Sequence, residues 1–255
     1  MIVKKLSIHR PSKKDYKKEM FGHYLAGLID GDGHISSMGH IVIAFNLRDI
    51  KTAKKIRSTL KYGKVRKVKN KNACNLIISN KNGIIYIASL IKNKLRHPTK
   101  IHQFNCRLVS LFGVEKTAVD FTINWNTPWF SGFFDADGYL RIYIVKRKDQ
   151  HREEVRLLGQ LDQKSDLLLE QIKSRFGGYV GYRQSQNTFY YSTVSFRSMF
   201  ELLSYFDKFS PQSEHMFLKY IILRKAYLLV QNKKHLENSG LKKLYKFSMR
   251  LKNKI

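Results

Sequence analysis

No stretch of the 255 residues approaches 18 consecutive apolar side chains, so the sequence offers no helix suited to spanning a bilayer. The first twenty residues, MIVKKLSIHRPSKKDYKKEM, lack the apolar core of a secretory signal. They share the basic character of an organellar transit peptide, but their acidic residues and Pro11 argue against one. Cysteine is scarce. Cys74 and Cys106 have neither metal-ligand spacing nor a redox motif and read as two reduced intracellular thiols. Acidic residues are few as well: 19 Asp and Glu face 48 Lys and Arg, leaving a net charge of +29. Charge of that size, interleaved with aromatic and β-branched residues along the whole chain, calls for a polyanionic partner. Nucleic acid fits better than a membrane surface, because no strongly amphipathic basic helix stands out. The richness in Lys, Asn and Ile also agrees with coding by an AT-rich genome.

What the chain does contain is one pattern written twice. LAGLIDGDG, Leu25 to Gly33, and FSGFFDADG, Phe130 to Gly138, run apolar-small-Gly-apolar-apolar-Asp-small-Asp-Gly at a constant offset of 105 positions. HIVIAFNL and the helical DIKTAKKIRSTLKYG follow the first copy. LRIYIVKR, EVRLLGQLDQ and SDLLLEQIKSRFGG follow the second. Further strand pairs come next, KVRKVKN with CNLIISN and GYVGYRQS with TFYYSTVSF, and a helical stretch closes each half. Each half thus reads helix, two strands, helix, two strands, helix. The segment Leu111 to Asn126 has no counterpart and is taken as a linker. Thr127 and Pro128 look like an N-cap and first-turn proline for the second motif helix. The expected organisation is 15–110, linker 111–126, 127–235 and a basic, helically spaced tail 236–255. The fold class is α+β, with two pseudo-symmetric halves.

In the first motif Gly27 and Gly31 lie four apart; in the second, Gly132 and Ala136 repeat the spacing. Small residues so placed let two helices approach closely, so the motif helices are expected to pack there. Asp32 and Asp137 would then emerge together at the helix C-termini, where they repel each other and meet the negative end of each helix. A divalent cation compensates such a pair best, with backbone carbonyls of the last turn as further ligands. Carboxylate, carbonyl and phosphate oxygens suit Mg2+. Bound near a phosphodiester, such an ion activates water and stabilises the leaving oxygen. Asp30 and Asp135 read instead as local residues that hydrogen-bond the turn or neighbouring backbone.

LAGLIDGDG closely resembles the defining motif of the LAGLIDADG homing endonucleases, and FSGFFDADG is similar to its degenerate second copy. The resemblance covers nearly the whole chain and points to the single-chain, two-motif type, which is often intron-encoded. It implies αββαββα halves, each with a curved antiparallel sheet lying along the DNA major groove and joined at the packed motif helices. It implies a monomer that needs no protein partner and cuts both strands of double-stranded DNA across the minor groove, leaving short 3′ overhangs. The last acid of each motif would bind the metal, which carries over to Asp32 and Asp137, with the carbonyls of Gly31 and Ala136 as extra ligands. Mg2+ is the expected cofactor, Mn2+ a substitute, and Ca2+ an ion that binds without supporting cleavage. A polar residue ordering water near the metal carries over to Gln163. Aligning the following helices puts Leu47 at its place in the first half, with Asn46 adjacent. A lysine before the last helix carries over to Lys100, whereas the second half offers only Glu214, His215 or Met216, with Lys219 more distant.

Strand alternation nominates the DNA-reading side chains. They are Lys64, Arg66, Lys67 and Lys69 in the first half, and Arg141, Tyr143, Arg156, Tyr182, Arg183, Gln184 and Gln186 in the second. Arg and Gln suit bidentate contacts to guanine and adenine edges. Two other readings compete. One is an RNA-binding maturase assisting splicing of its own group I intron, with or without cleavage activity; the other is a DNA-binding regulator without chemistry. Acids intact in both motifs favour the nuclease. The organellar location expected rests on the resemblance and the Lys/Asn/Ile bias.

Overall fold

The computed structural model describes residues 5–9, 11–13, 15–146 and 153–252. Of the expected segments, residues 147–152 between two strands and 253–255 of the tail lie outside the described residues.

Helix α1 (Lys18–Asp32) is buried on every side from Tyr24 to Asp30, as its run of apolar and small residues requires. It ends where Gly33 turns extended, its N–H bonding the carbonyl of Ile29. A side chain at Gly33 would stand 2.6 Å from Ile29 Cα, so the turn into the first strand needs glycine. Strands β1 (Gly33–Ile35) and β2 (Ile41–Asn46) follow, then α2 (Ile50–Leu60), β3 (Lys64–Lys67), β4 (Ala73–Ile78) and α3 (Lys81–Ile91). The four strands form an antiparallel sheet in the order β1-β2-β4-β3. Leu95 to Pro98 lead into α4 (Pro98–Gln103), which runs on through a π-helical turn into α5 (Val109–Phe112). Gln103 and Arg107 on this helix bond the Ile35 backbone, covering the short edge strand β1.

The second series repeats the order: α6 (Trp129–Asp137), β5 (Gly138–Lys146), β6 (Glu153–Gln163), α7 (Leu167–Phe176), β7 (Tyr179–Arg183), β8 (Thr188–Ser192) and α8 (Phe196–Lys208). Its sheet, β5-β6-β8-β7, is also antiparallel and has the topology of the first. The αββαββα succession therefore occurs twice, and the fold class is α+β as expected. Just before α6, the Thr127 hydroxyl donates back to the Asn124 carbonyl, and the Gly132 N–H bonds the Pro128 carbonyl.

The chain forms two compact units. One comprises Lys14–Asp137 with Pro211–Glu214; the other comprises Met1–Lys13, Gly138–Ser210 and His215–Ile255. Helix α6 belongs to the unit of the first motif because it packs directly on α1. Trp129, Phe130, Phe133 and Phe134 are fully buried there. Each contributes about 1.5–3 kcal/mol by leaving water.

The other unit holds the second sheet, α7, α8 and two further helices, α9 (Glu214–Gln231) and α10 (Asn238–Lys252). Arg224 on α9 pairs with Asp207 on α8 at 2.8 Å and bonds the Ser7 carbonyl. Burial at 4% exposure makes this charge dependent on its partner. The tail expected after His235 is largely α10, which packs on β5 through the Ser248 hydroxyl and the Ile142 carbonyl, 2.8 Å apart.

Candidate active site and nucleic-acid surface

The first unit contains both motif helices, and their contact is set by glycine. A Cβ built on Gly27 would fall 1.9 Å from the carbonyl oxygen of Trp129, and one on Gly132 would fall 2.0 Å from that of Tyr24. The exchange is reciprocal, since Tyr24 and Trp129, like Gly27 and Gly132, are related by the 105-residue offset. Toward the C-termini, a Cβ on Gly31 would meet the Ala136 methyl at 2.4 Å and Asp137 Oδ2 at 3.0 Å. The backbone of Gly31 and the carboxylate of Asp137 are thus neighbours where α1 and α6 end.

Burial raises the Asp32 carboxyl to about 7; the nearby Asp137 charge adds to the effect and Lys100 opposes it. Neither helix has a basic residue in its last turn to balance the acids. Lys100 comes from α4 and donates to the Gly33 carbonyl just past the end of α1. Its own pKa is lowered by burial, against the attraction of Asp30, Asp137 and Asp32. Two carboxylates and one ammonium therefore lie together where the two motif helices end. Among the described residues no group of three or more His, Cys, Asp or Glu side chains could hold a metal. Two carboxylates with carbonyl oxygens suit Mg2+ nonetheless, because that ion usually keeps waters and substrate phosphates in its remaining positions.

Asp30 and Asp135 are buried among backbone and aromatic donors. Asp30 Oδ2 accepts from the Arg96 N–H at 2.7 Å and the Trp129 indole at 2.8 Å. Asp135 Oδ2 accepts from Gln212 N–H at 2.7 Å, Ser213 N–H at 3.0 Å and the Tyr24 hydroxyl at 2.9 Å. Burial raises Asp30 to about 7 and Asp135 to about 6, and these donors pull the other way. Ser213 and Glu214, at the start of α9, dock on Asp49 and Thr52 at the start of α2.

Sheet register sorts the expected DNA-facing residues. In the first sheet, Lys64 and Arg66 lie opposite Ile77 and Asn75 on the less buried face. Lys67 pairs with buried Cys74 and therefore points to the other face. Lys69 is exposed in the turn beyond β3. In the second sheet, the pairs Arg141↔Leu158 and Tyr143↔Arg156 share a face, and Arg183 joins it through Thr188. Tyr182, paired with Phe189, points to the opposite face. Gln184 and Gln186 sit in the exposed turn before β8. Arg183 is oriented by Asp162 at 2.7 Å and lies over the Tyr190 ring; Arg156 is held by Glu154 at 2.8 Å.

Comparison with known proteins gives this geometry its relatives. A family model described as LAGLIDADG endonuclease matches residues 130–227. The chain is 42% identical to an uncharacterized cox1 intron-2 protein of Schizosaccharomyces pombe, over 96% of this chain and 77% of that one. The chain belongs to the LAGLIDADG family. It is also 24% identical to the intron-encoded RNA maturase bI4 of Saccharomyces cerevisiae, over 82% of this chain but 32% of that protein. The LAGLIDADG meganuclease I-AabMI, solved bound to uncleaved DNA, has the same fold: TM-score 0.71 at 21% identity, over 89% of this chain and 98% of that one.

Within this LAGLIDADG chain, some expected equivalences change. Counted from the motif glycines, the pairs Gly33↔Ile43 and Gly138↔Leu161 put Phe45, not Leu47, in the place of Gln163. Helix alignment, by contrast, puts Leu47 there, in the 3-10 turn Leu47–Asp49 beyond the end of β2. Gln163 itself ends β6, paired with Phe189. Counted from the amides held by Asp30 and Asp135, Lys100 stands four residues after Arg96, and Met216 four after Gln212. Lys219 lies one turn further along α9, its ammonium 5.5 Å from the Tyr139 ring centre. Sequence reasoning missed Tyr24 and Trp129 as donors to the buried acids. Their common position, 105 residues apart, was the available signal. It also missed Tyr139, Gln160 and Tyr190, which register places on the face of Arg141.

Proposed function

We propose that this chain is a site-specific homing endonuclease that hydrolyses phosphodiester bonds in both strands of a long, asymmetric DNA target, leaving short 3′ overhangs. The observation that carries the reading is the convergence of Asp32, Asp137 and Lys100 at the paired ends of the motif helices. Asp32 and Asp137, with the carbonyls of Gly31 and Ala136, would hold Mg2+, with Mn2+ a substitute and Ca2+ an inert occupant. When bound, the ion supplies an activated water and charge neutralisation at the scissile phosphate. Lys100, anchored on the Gly33 carbonyl, places a positive charge beside the carboxylates for the phosphate or its leaving oxygen. Gln163 orders water at the site.

Lys64, Arg66, Lys69, Arg141, Tyr143, Arg156, Arg183, Gln184 and Gln186 contact the target, fixing its position through phosphates and its sequence through base edges. Lys67 and Tyr182, on the opposite faces, contribute less. The working form is a monomer with halves 15–110 and 127–235, joined by 111–126, and the protein acts in an organelle.

A second reading, an RNA-binding maturase, is favoured by the resemblance to a protein named as an RNA maturase. Selection of cleaved sequences from a randomised DNA library, run with Mg2+ and with Ca2+, tests both. A single long target cut only with Mg2+ supports the nuclease. Absence of any cut product, with tight binding to a folded intron RNA, supports the maturase.

A further inference from the structure

Each motif contains a buried acid besides its last one, and the two buried acids make matching contacts. Asp30 accepts from the backbone at the start of α4, and Asp135 accepts from the backbone at the start of α9. Each accepts one further bond, from an aromatic side chain of the opposite motif helix. Trp129 of α6 donates to Asp30, and Tyr24 of α1 donates to Asp135. The four residues form two pairs related by the 105-residue offset, so the exchange is crossed in both directions.

The carbonyls of those same aromatics press on Gly27 and Gly132. Tyr24 and Trp129 therefore fix both the spacing of the helices and the orientation of the opposite carboxylate. Trp129 is 2% exposed and Tyr24 1%, so no solvent competes for their donors.

We propose that Asp30 and Asp135 are positioning residues, each holding the backbone that leads into a helix, Arg96 before α4 and Gln212–Ser213 before α9, under the control of an aromatic donor from the other motif helix. For the first half the consequence is specific. Lys100 lies one turn after the Arg96 amide that Asp30 holds, and its ammonium rests on the Gly33 carbonyl. Trp129, a residue of the second motif, thereby sets the position of the lysine of the first. The inference rests on the assignment of Lys100 to the cleavage centre.

The geometry predicts a graded series. Asp30→Asn keeps an oxygen that accepts from Arg96 and Trp129, and should retain cleavage within a few-fold. Asp30→Leu keeps the branched shape and has no acceptor. It should lower the single-turnover rate at least tenfold while DNA affinity changes less than twofold. Trp129→Phe keeps the packing and loses only the N–H, and should give an intermediate loss; it also serves if the leucine variant does not fold.

The decisive test combines each with Lys100→Ala on a target recovered by selection, with the nicking of the two strands followed separately. If Asp30 and Trp129 act through Lys100, the double variants cut no more slowly than Lys100→Ala alone, and the strand-rate ratio of Trp129→Phe matches that of Lys100→Ala. Losses that multiply, or a different strand ratio, overturn the proposal while leaving the lysine in place. A Lys100→Ala variant that cuts at the normal rate overturns the lysine assignment, and the proposal with it.

Discussion

The carbonyl oxygen of Trp129 occupies the space that a side chain on Gly27 would need, 1.9 Å from the ideal Cβ position. Tyr24 stands in the same relation to Gly132. The obstructing atoms are backbone, so neither contact can be relieved by a rotamer change. Gly27→Ala and Gly132→Ala should each destabilise the protein by about 3 kcal/mol, at the upper end of overpacking costs. Urea unfolding monitored by circular dichroism measures this. A loss below about 0.5 kcal/mol, the scale of a neutral surface change, would mean that the helices are not held this closely.

The carboxyl shifts give a pH signature that involves the metal. Asp32 and Asp30 have native pKa values of about 7 and Asp135 about 6, above the roughly 3.9 of an unfolded Asp. Between those limits the native state holds protons that the unfolded chain has released, so these groups lose stability as pH rises. Burial lowers His23 and His97 to about 4, which acts oppositely up to their unfolded value near 6.5. Above about 6.5 the histidine contribution is complete, and the carboxyls should cost the metal-free protein thermal stability up to about pH 7.5. Mg2+ or Ca2+ should restore it at pH 8 and do little at pH 5, where protons compete for Asp32. Melting temperatures with the ion and with EDTA at both pH values test this. Equal metal-induced shifts at pH 5 and pH 8 would contradict it.

A net charge of +29 should make DNA affinity depend strongly on salt. Each phosphate contact contributes about −0.9 to the slope of log K against log salt. A titration by fluorescence anisotropy should give a slope steeper than about −4, and each Lys64→Ala or Lys69→Ala change should reduce it by about one if that lysine meets a phosphate. A flat response would remove the electrostatic basis of the assignment.

Arg141 and Arg183 lie on the same face of the second sheet, and Asp162 fixes the guanidinium of Arg183. Replacing either by Ala should relax base preference at one position of the target, at a cost of about 1–3 kcal/mol in discrimination. Sequencing of cleaved library members reads this directly. Uniform weakening across all sequences would reassign that arginine to the phosphate backbone.

Much of this was legible from spacing alone. The doubled motif, the small residues at positions 27, 31, 132 and 136, and the alternation in β5 follow from local rules of helix and strand periodicity. Where sequence reasoning went astray, tertiary register decided. Ladder register puts the counterpart of Gln163 at Phe45, where alignment of the following helices puts Leu47. The ladder partner Cys74 puts Lys67, itself exposed, on the face opposite Lys64 and Arg66, a distinction that composition cannot make. The crossed bonds of Asp30 and Asp135 join residues about a hundred positions apart, which no window on the sequence can relate.

The central claim is that Asp32 and Asp137 together form one divalent-metal cleavage centre. Its most direct test is cleavage of a selected target plasmid in Mg2+ by Asp32→Asn and Asp137→Asn, with binding measured on the same DNA. Each variant should bind within about threefold of the parent and yield no linear product. A variant of either residue that still linearises the plasmid at the parent rate would contradict the assignment.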